Sequence, residues 1–260
     1  MSVTYTSYLR IDDLLACQQP VSPGPEHDEM LFIVIHQVYE LWFKQMLHEL
    51  DHLAARLDAD DLPAVQATLR RVLTILKVQV AQIDILETMT PVSFLSFRYR
   101  LDQASGFQSP QFRQLEFLLG HRDARMLGFH PEGGEARRRL EERLAAPSLW
   151  DHFVAYLHRN GHPMPESLLA RDRATSNPLT EAIHPALIAI YREQGDLAQI
   201  CERMVDLDEG LQEWRYRHVK MVERTIGVKP GTGGSSGADY LRRTLFQPLF
   251  PDLWAIRGEL

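Results

Sequence analysis

Two stretches of this chain carry side chains that could hold a metal or a cofactor. The first covers residues 214–237. It reads Trp214-Arg215-Tyr216-Arg217-His218, continues helically to Ile226, then breaks into Lys229-Pro230-Gly231-Thr232-Gly233-Gly234-Ser235-Ser236-Gly237. A helical histidine presents its imidazole in a fixed direction and can hold a metal or cofactor rigidly. A loop this rich in glycine can approach a ligand closely and close over it. It is not a Walker phosphate loop, because Lys229 precedes the glycines and no Gly-Lys-Ser/Thr follows. The second stretch, His48-Glu49-Leu50-Asp51-His52, fits the pattern H-E-x-x-H. On a helix its histidines share a face and could bind zinc, with Glu49 as general base. A zinc site needs a third ligand, and nothing in the sequence selects Asp84 or Glu87 for that task. Short motifs also arise by chance. The expected reading is therefore a polar helix face, with His48 and His52 beside Glu49, Asp51 and Arg56.

The elements that must position these groups read as helices. Residues 30–57 contain no proline or glycine, and Leu31, Val34, Ile35, Val38, Leu41 and Trp42 recur at three- and four-residue steps. A second series on the same helix is Phe32, His36, Tyr39, Phe43 and Leu47. Such a helix is expected to be buried on more than one face, as at the centre of a bundle, with its start capped at or just before Asp28. A second long helix is predicted over 62–89 and ends at Thr90-Pro91. Shorter helices are predicted over 92–101, 112–119, 132–146 and 149–157. A long helical pattern over 179–226 has possible breaks at Pro185, Gly195 and Gly210, and a short helix follows Gly237. No alternating strand pattern, internal repeat or low-complexity linker interrupts them. The expected architecture is all-α: one single-domain helical bundle over 1–260, with long central and short peripheral helices.

Composition suits that reading. With 260 residues, 45% hydrophobic and 24% charged, the chain can bury a substantial core. No apolar run reaches membrane-spanning length, and Met1-Ser2-Val3-Thr4-Tyr5 lacks the charged and apolar regions of a signal peptide. The net charge of −7 argues against general nucleic-acid affinity. Cys17 and Cys201 make no metal-ligand pattern, so a reduced cytoplasmic protein is the simplest expectation.

Four segments taken together are more specific than either opening motif. They are Phe32-Ile33-Val34-Ile35-His36-Gln37-Val38-Tyr39-Glu40-Leu41-Trp42-Phe43-Lys44; Phe97-Arg98; Ala104-Ser105-Gly106-Phe107-Gln108-Ser109; and His218 with Thr232-Gly233-Gly234-Ser235-Ser236-Gly237. In this order they resemble the tryptophan 2,3-dioxygenase family of haem enzymes. Tyr8-Leu9-Arg10, Leu86-Glu87-Thr88-Met89-Thr90-Pro91 and Ala146-Pro147-Ser148-Leu149 extend the likeness over nearly the whole chain. The resemblance implies an α-helical homotetramer with one haem b per subunit. It implies L-tryptophan and O2 as substrates, with the indole C2–C3 bond opened to N-formyl-L-kynurenine. By the same resemblance His218 is the axial iron ligand, and His36 is the distal histidine that accepts a hydrogen bond from the indole N–H. Phe32 packs against the indole, Arg98 clamps the substrate carboxylate with Phe97 lining the pocket beside it, and Thr232 contacts the ammonium group. Tyr5, Tyr8 and Leu9 reach a neighbouring subunit's active site. A guanidinium suits the clamp because it can make two parallel bonds to a carboxylate. Taken without the resemblance, Phe32 and His36 are ordinary core residues of a buried helix, and Arg98 is a surface arginine like Arg100 and Arg113.

The chain departs from some bacterial relatives at two positions. Phe94 stands where they have a tyrosine near the substrate carboxylate, and Ile83 where they have tryptophan. The same residues also admit a histidine-ligated haem oxygenase for another aromatic substrate, and a haem-dependent sensor or tryptophan-binding regulator without turnover.

Overall fold

The computed structural model describes residues 2–24, 26–102, 104–231 and 238–260, with side chains at all of these but 239 and 240. Among them every regular element is helical, in agreement with the all-α expectation. Two short helices, α1 (Tyr5–Leu9) and α2 (Ile11–Leu15), bury none of their residues. Helix α3 (His27–Asp58) begins slightly before the predicted start. Asp28 and Glu29 lie in its first turn, where their charge complements the helix dipole. The Glu29 carboxylate accepts from the backbone N–H groups of Val21, at 2.7 Å, and Ser22, at 3.2 Å, which ties the preceding segment to the helix.

Helix α4 (Leu62–Leu86) starts where Asp61 accepts from the Ala64 N–H at 3.2 Å. It stops three residues before the predicted end, because Thr88 and Met89 already lie in the turn before α5 (Pro91–Arg98). Thr90 caps α5 by accepting from the Ser93 N–H at 3.1 Å. Helices α6 (Pro110–Leu119), α7 (Glu135–Ala145), α8 (Leu149–Arg159) and α9 (Glu166–Leu169) form the middle of the chain. Then come α10 (His184–Glu193), α11 (Asp196–Ile226), α12 (Ala238–Arg242) and α13 (Pro251–Ala255).

Of the three predicted breaks, Pro185 opens α10 and Gly195 separates α10 from α11. Gly210 breaks nothing. A side chain at Gly210 would bring its Cβ to 2.8 Å from the Leu76 methyl, so the glycine lets α11 approach α4 closely.

Helix α4 packs against both α3 and α11, while α6 and α8 lie on other sides of α3. Leu50 and Val72 are fully buried at the α3–α4 contact region, and Leu207 and Phe153 are equally buried on α11 and α8. Each such side chain contributes about 1.5–3 kcal/mol of transfer free energy. The two apolar series on α3 meet different fates. Tyr39, Phe43 and Leu47 of the second series enter the core, although His36 is exposed, whereas in the first series Ile35 is buried but Val34 and Leu41 remain 38% and 51% exposed. No described helix is long and apolar enough to cross a membrane.

Candidate active site

A deep cavity opens where α3, α5, α6 and α11 converge. Its volume is about 280 Å³. Phe32, Phe43, Ile83, Phe94, Phe112 and Val222 give it a mainly apolar lining. His36 from α3 and His218 from α11 both line it. Each is crowded by protein atoms yet keeps surface open to the cavity.

The protonation of His36 is set by its own helix. Its Nδ1 lies 2.7 Å from the Phe32 carbonyl oxygen. A carbonyl only accepts, so Nδ1 carries the proton and Nε2 is left as an acceptor. Burial pushes the imidazole below its ordinary pKa, against the opposing pull of the Phe32 carbonyl and Glu40. Phe32, one turn earlier, has its ring 4.1 Å from the His36 ring. Behind it, Phe94 and Phe97 form a cluster with ring separations of 5.5–5.7 Å.

His218 is held from three sides. Trp214, one turn earlier, stacks on its ring at 5.2 Å with an interplanar angle of 3°. Arg217 donates to Asp84 at 2.5 Å and to Glu87 at 3.3 Å, which pins α11 to the end of α4. Arg215 donates to Glu116 at 3.0 Å and pins α11 to α6. Burial, helped by the nearby charges of His36 and Arg113, pushes the His218 pKa down to about 4. The imidazole is therefore neutral at pH 7, the form that binds iron, and it makes no hydrogen bond with the described residues. A neutral, unengaged histidine on a rigid helix, facing an apolar cavity, fits the axial-ligand site of a haem.

Arg98 lines the same cavity and donates to the carbonyl oxygen of Pro230, at the entrance to the glycine-rich loop. Gly231 also lines the cavity, while Thr232 and the rest of the loop to 237 lie outside the described residues. Phe97 sits one layer back. It is 1% exposed, and Phe94 rather than Phe97 forms the cavity surface. Alternation around α5 explains this, since Phe94 and Arg98 are one turn apart and share a face. Tyr5, Tyr8 and Leu9 are exposed on α1, and none of them lines this chain's cavity.

Several cavity residues escaped the sequence reading. Arg113 is buried, not a surface arginine, and lines the cavity with Glu116 and Arg215. Trp214 could have been found from its spacing of one turn before His218. The two departures, Ile83 and Phe94, are both on the lining. The H-E-x-x-H stretch lies elsewhere on α3. His48 and His52 are exposed, but Glu49 is buried and accepts from Arg71 at 2.9 Å and Gln45 at 2.7 Å, not on the polar face expected for it. Among the described residues no group of three or more His, Cys, Asp or Glu side chains is placed to hold a metal ion.

Comparison with known proteins covers the same ground. The family model described as tryptophan 2,3-dioxygenase matches residues 1–141 and 166–260. The chain is 57% identical over 259 residues to tryptophan 2,3-dioxygenase of Herpetosiphon aurantiacus, covering 100% of this chain and 99% of that protein. It is 58% identical over 262 residues to the enzyme so named from Anaeromyxobacter sp. (strain K), with 100% and 97% covered. The tryptophan 2,3-dioxygenase of Caulobacter vibrioides is 44% identical over 261 residues, with 99% and 98% covered. The helices that carry His36, Arg98 and His218 all fall within the matched residues, and the chain belongs to the tryptophan 2,3-dioxygenase family.

Proposed function

We propose that this protein is a haem-dependent dioxygenase that opens the indole C2–C3 bond of L-tryptophan with O2, giving N-formyl-L-kynurenine. This is the first step of tryptophan degradation along the kynurenine route. One observation carries the reading: a neutral His218 and a His36 with a free Nε2 acceptor line one apolar cavity together. Haem b would supply the oxygen chemistry, and His218 would hold its iron.

The chain's own residues bind and orient the substrate. His36 Nε2 accepts from the indole N–H, because its other nitrogen is committed to the Phe32 carbonyl. Phe32 packs on the indole, and the Phe94–Phe97 cluster holds Phe32 in place. Arg98 takes the substrate carboxylate in two parallel bonds, exchanging a neutral carbonyl partner for a charged one. Thr232, next in sequence to the cavity-lining Gly231, contacts the ammonium group. The apolar lining keeps water from the reactants.

The whole of 1–260 serves as one domain, and a large apolar core drawing on residues from Ile35 to Ile256, beside a smaller cluster around Phe117, supports this. The working form is a homotetramer in which Tyr5, Tyr8 and Leu9 complete a neighbour's pocket. The exposed apolar residues of α1 and the exposed Val34 and Leu41 of α3 support that assembly. A cytoplasmic location suits the two free cysteines.

The test is a visible spectrum of the reduced protein with and without L-tryptophan, followed by product mass under O2. The expected result is a Soret band that shifts with L-tryptophan and a product heavier than substrate by two oxygen atoms. A colourless protein that cannot be reconstituted with haem, or a one-oxygen product, overturns the reading.

A further inference from the structure

We infer that Arg113 anchors a carboxylate of the bound haem, an assignment that rests on the haem reading above. The argument begins with charge. Among the charged side chains lining the cavity, the guanidinium groups of Arg98, Arg113 and Arg215 face the carboxylates of Glu40 and Glu116. Glu40 accepts from Gln111 at 2.8 Å. Glu116 is shared: one oxygen accepts from Arg113 at 2.5 Å and the other from Arg215 at 3.0 Å. Arg113, Glu116 and Arg215 are 5%, 3% and 3% exposed. Two buried cations thus divide Glu116, and the field of Arg215 also reaches the buried Asp208 carboxylate, so among the described residues Arg113 has only a shared anion as its hydrogen-bonded partner. A buried cation without an anion of its own carries a desolvation penalty.

Arg113 is the member with capacity to spare. Arg215 has a further acceptor in the Thr244 carbonyl, at 3.1 Å. Among the described residues Arg113 hydrogen-bonds only to Glu116, and its buried Nε–H finds no acceptor there. Its guanidinium lies 5.5 Å from the Phe107 ring centroid and 5.3 Å from that of Phe112. Those rings fix its orientation without neutralising it. Its field reaches His218, and both side chains line the one cavity. Haem b carries two carboxylates, and a guanidinium binds a carboxylate by parallel N–H bonds. With Arg98 given to the substrate, Arg113 is the cavity cation left to meet the cofactor's negative edge.

The experiment compares haem with its dimethyl ester, which has the same ring and iron but no carboxylate charge. Both are titrated into the full-length apoprotein and its Arg113→Met variant, and Kd is read from the Soret band. The variant should lose about tenfold or more in affinity for haem and less than about twofold for the ester. Equal losses for both porphyrins overturn the inference. Should Arg113→Met fail to fold, Arg113→Lys keeps the charge. It should still bind haem more tightly than the ester, by a smaller margin than the native chain, because lysine cannot make the parallel bonds. A native chain that binds the ester as tightly as haem overturns the inference without any variant. A native chain that takes up neither porphyrin overturns the haem reading itself.

Discussion

His36 and the pair His48/His52 stand on the same helix, in the same all-α setting, and meet opposite surroundings. His36 lies where α5, α6 and α11 close over α3, with its Nδ1–H fixed on the Phe32 carbonyl and its Nε2 facing an apolar cavity. Three turns on, His48 and His52 face solvent, and the glutamate between them is turned inward to Arg71. Among the described residues this short motif gathers no third ligand. A lone histidine becomes a candidate catalytic group where distant helices supply a second histidine and an arginine.

The largest break in this contrast is expected at His218. Replacing it with Ala should abolish stable iron ligation and cut turnover by about 1000-fold, equivalent to about 4 kcal/mol in the barrier. Added imidazole should restore part of the Soret band, which separates lost ligation from misfolding. Arg98→Leu comes next. Removing one side of a charged, hydrogen-bonded pair should raise KM for L-tryptophan about 100-fold, with the haem spectrum unchanged. An unchanged KM would remove Arg98 from the site. His36→Ala should cost less, about fivefold in kcat/KM, because it removes one hydrogen bond between neutral groups. A loss as large as that at His218 would mean that His36 does more than orient the indole.

The same contrast marks what a sequence discloses. The long helices were legible from periodicity, and His36, Arg98 and His218, singled out from ordered segments that resemble one family, line one cavity. Arg113 was not legible. Arg113 and Glu116 are three residues apart, which on a single helix reads as an ordinary surface pair. Only the arrival of Arg215 from α11 buries them. Gly210 was read as a break because glycine has low helix propensity, whereas its missing side chain is what the contact with Leu76 requires. Val34 and Leu41 were read as part of a buried face, and the described residues leave both exposed.

A smaller effect should appear in the apoprotein as pH changes. The unfolded chain protonates a histidine near pH 6.5, whereas His218 in the fold does so only near about 4. The unfolded state therefore binds more protons between these values, and stability should fall as pH drops from about 6.5 towards 4. His36, also held below its ordinary range, contributes with the same sign. Urea midpoints measured from pH 7 to pH 4 should decline less steeply for His218→Leu than for the native chain. Identical slopes would mean that the cavity does not keep this histidine neutral.

The smallest effect is expected where the motif looks most complete. His48 and His52 are one turn apart and share an exposed face, but Glu49 is rotated from them by one residue and is 3% exposed. Its carboxylate is already engaged by Arg71 and Gln45, so it cannot serve as a general base for a water held between the two imidazoles. Replacing both histidines with Ala should change kynurenine formation by less than about twofold, the range of ordinary surface substitutions. Metal analysis of the native protein should find iron without stoichiometric zinc. One equivalent of zinc, lost in the double variant, would reverse the contrast and move a second chemistry onto the outer face of α3.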